Sequence, residues 1–372
     1  MILDWLRIFE EGLSRMRADL GALVSLESPS DDPARVSALA AWIRDRLGER
    51  GVRAQTRPCP PRGDAVIATI GAGEGGTLLL GHLDTVWPVG TLAENPFQVR
   101  GDVASGPGVF DMKGGIAVAM AALEALVRQG RAADATLLLL PDEEVGTAAS
   151  RPLLLTEATG RRRVLVLEPS LDGAAKIARK GTGLFEIEFA GRAAHVGLDP
   201  EAGVSALAEL ARFVLYTEGL GNPARETTVH ATVAQAGTKT NVTSERASLW
   251  VDVRVWSYAE AERVERELRE YQRADARVEV LVRGGFDRPP MEQTPESEAL
   301  YERAKAIATE LGFELGAVRV GGASDGNLTA AAGIPTLDGL GPCGGGAHAR
   351  NEFLVVSDLP RRAGLITRLL LD

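Results

Sequence analysis

The 372-residue sequence is poor in the residues that mark several protein classes. It has two cysteines, Cys59 and Cys343, too few for a thiolate zinc site and no basis for a disulfide framework. Lysine occurs only at Lys113, Lys176, Lys180, Lys239 and Lys305, with arginine carrying the remaining positive charge, a bias that reflects genome composition rather than function. Acids exceed bases by ten, and the bases are scattered, so no positive stripe is available for a phosphate backbone. No apolar run reaches the length of a membrane span. Nucleic acid and membrane are therefore poor partners for this chain. The start, MILDWLRIFEEGLSRMRADL, also lacks a basic leader followed by an apolar core. Its acids come early, and Leu6, Phe9, Leu13, Met16 and Leu20 fall at helical intervals, which predicts an amphipathic first helix of a cytoplasmic protein.

The hydrophobic fraction of 45% is ordinary for a globular protein, and the length calls for two domains. Ser30 to Asp32 cap a second helix that opens on Pro33. Short apolar runs follow, AVIATIG, TLLLGHLDTV, ATLLLLPDEE and RRRVLVLEPS. Between the second and third lies the alanine-rich helix KGGIAVAMAALEALVRQG. Apolar strands alternating with helices predict an α/β fold with a mostly parallel sheet covered on both faces. After residue 176 the pattern alternates with period two in LFEIEFAG, TTVHATVAQ, ERASLWVDVRVW and ARVEVLV. That predicts a half-solvated antiparallel sheet, interleaved with two helices. RGGFDRPPMEQTPES reads as the exit linker, after which the first style returns, with a final helix beginning near Asp358. The expected division is 1–175 with 288–372 as one discontinuous domain and 176–287 as an inserted α+β domain.

Histidine is scarce as well, found at His82, His195, His230 and His348. Three of them lie in glycine-bearing stretches at strand ends, GHLDTVW, GRAAHVG and GGGAHARNE. His230 lies inside an alternating strand and reads as structural. On an extended strand end His82 and Asp84 share a side, so Asp84 can hold the far ring nitrogen as metal-bound histidines require. Asp111 precedes the glycine pair that opens a helix, where it can cap that helix or face a cation. Glu143 and Glu144 follow one buried strand and Glu168 another. Ligand crevices of parallel sheets form at the carboxyl ends of strands. His82, Asp111, Glu144, Glu168 and His348 are thus expected to converge on one sheet edge. Nitrogen and oxygen donors without thiolate suit a catalytic pair of zinc, cobalt or manganese ions. One of the adjacent acids Glu143 and Glu144 then ligates and the other takes a proton, in an order the residues alone leave open.

GHLDTVWPVGTL, GPGVFDMKGG, PDEEVG, LEPS, GRAAHVG, GTKTNVT, VDVR, GGASDG and GGGAHARNE together resemble the co-catalytic zinc peptidases and deacylases of the aminoacylase, succinyl-diaminopimelate desuccinylase and glutamate carboxypeptidase family, bacterial glutamate carboxypeptidase above all. The resemblance implies a zinc exopeptidase-like fold in which His82 and Glu168 hold one ion, Glu144 and His348 the other, and Asp111 bridges them. It implies Asp84 as the partner of His82, Glu143 as the catalytic acid and base, and a cis peptide between Asp111 and Met112. It further implies that the insert is a lid that forms a homodimer. His195 and Asn241 would reach a substrate carbonyl, Arg254 a substrate carboxylate, and Gly321 and Gly322 would approach the substrate by backbone. The expected function is hydrolysis of a peptide or amide bond beside a free carboxylate. The alternatives are N-acyl amino acid deacylation and a catalytically silent metal-binding scaffold.

Overall fold

The computed structural model describes residues 4–73 and 75–372. Its contacts divide the chain into two compact units, Met1–Ile177 with Gln293–Arg319 and Ser324–Asp372, and Ala178–Glu292 with Val320–Ala323.

The first unit is built on a six-stranded sheet in the order Arg53–Pro58, Asp64–Ile70, Ala135–Leu140, Thr77–His82, Arg163–Val166 and Thr336–Leu337. The last four run parallel, and the first two close one edge antiparallel. Thr77–His82 and Ala135–Leu140 are buried at every position, which is why they read as unbroken apolar runs. Register places His82 opposite Leu140 and Leu80 opposite Val166. The segments leaving these three strands therefore emerge on one edge. Helices Pro33–Gly48, Gly114–Arg128 and Asp358–Leu370 bury apolar faces in the surrounding core. Asp32 caps the first of these by accepting the Arg35 amide at 3.1 Å, with Pro33 at its first position.

The expected single first helix is two, Trp5–Glu11 and Leu13–Ser25, meeting at Gly12. The apolar spacing survives the junction, since Phe9, Met16 and Leu20 are all buried.

The second unit carries an antiparallel sheet in the order Thr228–Ala236, Arg246–Val255, Gly181–Ala190 and Glu279–Arg288. Alternate residues of Arg246–Val255 are buried, against a core that includes Phe185, Phe189 and Phe213. Helices Ala206–Glu218 and Tyr258–Arg269 complete it. The stretch expected to begin the exit linker is instead strand: Arg283 to Arg288 pair with Gly181–Ala190 through a bulge between Phe286 and Arg288. Phe286 packs edge-on to Phe185 with ring centres 5.9 Å apart, and this burial overrides the glycine signal.

Candidate dimetal centre

The site begins where the Thr77–His82 strand ends. His82 is 2% exposed and Asp84 is fully buried. The His82 Nδ1 atom lies 2.9 Å from the Asp84 backbone oxygen and 3.5 Å from its carboxylate. The expected grip on the ring thus comes chiefly from the backbone. The Asp84 carboxylate has another task. It accepts the Ser30 hydroxyl at 2.7 Å, the Glu143 amide at 3.1 Å and the Glu144 amide at 3.2 Å. A single buried acid therefore fixes the loop that presents both candidate acids.

Three jobs explain the run of three acids after Leu140. Asp142, 1% exposed, accepts the Ala149 amide at 2.8 Å and the Ser150 hydroxyl, folding the loop back. Glu143 and Glu144 then stand in a short turn, Glu143–Val145, that aims them separately.

Asp111 lies in a wide turn, Val109–Lys113, and the Asp111–Met112 peptide is cis, the isomer that the resemblance implies. Helix Gly114–Arg128 follows directly. A Cβ on Gly115 would meet the Leu167 carbonyl oxygen at 2.1 Å, so glycine is required for the turn to sit beside the strand exit that carries Glu168.

Around Asp111 the five expected ligands come together. Its two carboxylate oxygens face different histidines: Oδ1 is 3.2 Å from His82 Nε2, and Oδ2 is 3.4 Å from His348 Nε2. Glu168 Oε1 lies 3.5 Å from His82 Nε2, and Glu144 Oε2 lies 3.2 Å from His348 Nε2. Ligand atoms around a tetrahedral ion with bonds of about 2.1 Å stand roughly 3.4 Å apart, so these spacings fit two ions sharing Asp111. The second oxygen of Glu144 is buried with no hydrogen-bond partner among the described residues, as a second donor aimed at a cation would be. Glu143 is also close, its carboxylate falling within 4.8 Å of donor atoms of His82 and Glu168.

The charge balance points the same way. Asp84, Asp111, Glu143, Glu144 and Glu168 outnumber two imidazoles. Burial pushes the Glu144 carboxyl up to about 7. Burial would raise Asp111 too, but hydrogen bonds from His348 and His82 bring it far below the usual carboxylate range. The Asp111 contact lifts His348 to about 9. His82 is raised as well: burial opposes its charge, and contacts with Asp111, Asp84 and Glu168 outweigh that.

The sequence patterns gave no role to Glu352, which is fully buried. Its Oε2 accepts the Trp87 indole N–H and the Gly108 amide, each at 2.8 Å. Its Oε1 accepts the Phe110 amide at 2.9 Å and the Asp111 amide at 3.0 Å. One carboxylate therefore ties the Asp111 turn to the loop that carries His348, which itself adopts a left-handed backbone with φ of 61°. The available signal was an acid four residues after a candidate ligand in a polar loop.

His195, Asn241, Arg254, Gly321 and Gly322 belong to the second unit. His195 pairs with Val242 across two antiparallel segments, and the Val196 amide donates to the Asn241 oxygen at 3.2 Å. These two are therefore neighbours. The Gly197 amide donates to His195 Nδ1 at 3.1 Å. Arg254 makes a forked pair with Asp252, 2.9 Å on each arm, and its third arm reaches the Thr182 hydroxyl at 2.9 Å. The fork expected to await a substrate carboxylate is held here by an internal one. Gly322 accepts from Arg179 Nη1 at 3.0 Å through its backbone oxygen. A Cβ on Gly321 or Gly322 would meet nothing within 4 Å.

The profile of Peptidase family M20/M25/M40 matches residues 78–372. Carboxypeptidase G2 of Pseudomonas sp. (strain RS-16) is 33% identical over 369 residues, covering 95% of this chain and 88% of that protein. Succinyl-diaminopimelate desuccinylase of Methylorubrum extorquens (strain PA1) is 28% identical over 375 residues, covering 93% and 96%. Among solved structures, aminopeptidase PepT from Bacillus cereus ATCC 10987 superposes with a TM-score of 0.79 at 22% identity, covering 96% of this chain and 98% of that one, a likeness of fold. With that profile matched over most of its length, and a relative one-third identical along nearly all of it, the chain belongs to peptidase family M20/M25/M40.

Proposed function

We propose that this chain hydrolyses a peptide or amide bond next to a free carboxylate, as a glutamate carboxypeptidase-like metalloenzyme. The observation that carries the proposal is the Asp111 carboxylate facing His82 with one oxygen and His348 with the other. Glu168 and Glu144 complete the flanks. On this reading His82, Asp111 and Glu168 would hold one divalent ion and Asp111, Glu144 and His348 a second, zinc being the preferred metal for such donors. When bound, the ions would acidify a water and polarise the scissile carbonyl.

The residues supply the rest. Glu143 takes the proton of the attacking water and returns it to the leaving nitrogen. Asp84 keeps Glu143 and Glu144 turned in different directions through their amides. His195, with Asn241 beside it, donates to the carbonyl oxygen as charge develops there. Arg254 is assigned to the substrate carboxylate, which exchanges with Asp252 for the guanidinium fork. Gly321 and Gly322 offer bare backbone to the substrate, and the second unit acts as lid and homodimer contact.

N-acyl amino acid deacylation is the second reading. The similarity to a succinyl-diaminopimelate desuccinylase favours it, and it needs the same groups. A silent scaffold is disfavoured by the presence of Glu143 beside a full ligand set. The test is a release assay on C-terminal dipeptides, N-acyl glutamates and N-acetyl amino acids with zinc, cobalt or manganese, with Glu143→Ala as the control. The expected result is turnover of at least one class, lost by about two orders of magnitude or more in Glu143→Ala while its bound metal is retained. Turnover by the variant at the wild-type rate would reject the assignment of Glu143.

A further inference from the structure

Just past the acid pair, the chain takes a backbone form that its sequence does not favour. The turn over 142–147 closes in the way a helix end closes: the Gly146 amide donates to the Glu143 oxygen at 3.0 Å and the Thr147 amide to the Asp142 oxygen at 2.8 Å. That pattern needs one left-handed residue, and Gly146, with φ of 96°, supplies it without steric cost. Thr147 is left-handed as well, with φ of 56°. For a β-branched residue this form is strained, and glycine or asparagine would take it more easily.

What Thr147 gains is a partner from far along the chain. The residue is fully buried, and its hydroxyl donates to the carboxylate of Asp325, itself 3% exposed. Asp325 stands on a well-bonded turn. Ser324 Oγ donates to Asp338 Oδ2 at 2.6 Å and accepts the Gly326 amide at 3.1 Å, while the Ser324 amide donates to Asn327 Oδ1 at 3.0 Å. Asp338 is fully buried and directly follows Thr336–Leu337, a strand of the six-stranded sheet. The sheet thus reaches the Thr147 hydroxyl through Asp338, Ser324 and Asp325.

The loop that presents Glu143 and Glu144 is therefore held at two ends. Asp84 takes the amides of both acids, and Asp325 takes the hydroxyl three residues behind Glu144. A glycine at position 147 would relax the backbone and lose the second hold, whereas threonine keeps the hold and the strain with it. Strain of this kind persists only where the surrounding structure over-determines it, and it gathers at working sites.

We propose that Asp325, acting through the Thr147 hydroxyl, is a positioning residue that aims the Glu143 and Glu144 carboxylates. Glu144 Oε2 stands 3.2 Å from His348 Nε2, and ligand geometry has to hold to within about 0.5 Å, so a loop loosened by about 1 Å would spoil it. His82 and Glu168 leave other strands, and their ion would not depend on this hold. Loss of the bond should therefore weaken one ion and spare the other. This inference rests on the dimetal hydrolase reading above and adds to it the residues that direct its acids.

The test uses the full chain and two readouts: amide exchange of the 142–147 segment without metal, and zinc binding in competition with a coloured chelator. Thr147→Val keeps the branched shape without the hydroxyl, Thr147→Gly relieves the backbone without it, and Thr147→Ser retains it. In the valine and glycine variants the segment should exchange at least tenfold faster. One zinc ion should bind about 10- to 100-fold more weakly in both, with the other ion unchanged. Thr147→Ser should match the wild type in each readout. Asp325→Ala should resemble Thr147→Gly, and the double variant should lose no more than either, as partners in one bond do. Two wild-type zinc affinities in Thr147→Gly, or equal weakening of both ions, would overturn the positioning role and leave the hydrolase reading standing. A wild type that binds no zinc would overturn both.

Discussion

At the residue scale, acids of this chain separate into those that face a histidine nitrogen and those that hold backbone. Asp111, Glu144 and Glu168 face histidine nitrogens at metal-ligand spacing, whereas Asp84, Asp142 and Glu352 collect amide donors. Glu352 is the clearest holder, because all four of its bonds come from N–H groups and none is to water-exposed surface. Replacing it with glutamine would turn an NH2 group toward two N–H donors, leaving buried groups unpaired. Glu352→Gln is expected to weaken metal binding 10- to 100-fold, the range for groups that orient ligands, as read by competition with a coloured chelator. Wild-type affinity in that variant would show that the Asp111 turn needs no such tie. His82, Glu144 and Glu168 were legible in the sequence as donor side chains just past strand runs, and Asp111 and His348 as donors in glycine-bearing turns. Glu352 and Ser30 were not, because they act through amides and a second carboxylate, and no spacing announces that.

Elements were legible where burial and period agree. The unbroken runs became central strands, and the alternating runs became the second unit's sheet. The differences have two sources: Gly12 splits the first helical pattern locally, and Phe286, packed on Phe185, draws a glycine-rich stretch into a strand. The forked pair of Arg254 with Asp252 was open to inference, since residues two apart on a strand share a face. One element also carries a pH prediction. At the start of helix Tyr258–Arg269, Glu260 is 1% exposed and accepts from Arg263, Arg225 and Thr227. The Arg263 hydrogen bond leads the causes that bring its carboxyl down to about 2 from an ordinary value of 4.5. A carboxyl lowered on folding stabilises the folded state above its unfolded pKa, and this contribution is lost as pH falls toward the folded value. About 2 kcal/mol of it should therefore disappear between pH 5 and pH 3. Urea unfolding of the wild type and of Glu260→Gln should show that much less acid destabilisation in the variant. Equal acid sensitivity of the two would contradict the pairing.

At the scale of the whole molecule, the topology gathers distant sequence into one place. Asp84, Asp111, Glu144, Glu168 and His348 lie far apart along the chain, yet four parallel strands release their exits along one edge. No helix among the described residues is long and apolar enough to cross a membrane. The passage from one unit to the other was visible as a change of hydrophobic period. The central claim is that two divalent ions share Asp111, and counting ions tests it most directly. Chain stripped by a chelator and reloaded with zinc should bind two ions, and Asp111→Asn should bind at most one tightly. One ion or none in the wild type, or two tightly bound ions in Asp111→Asn, would contradict the account.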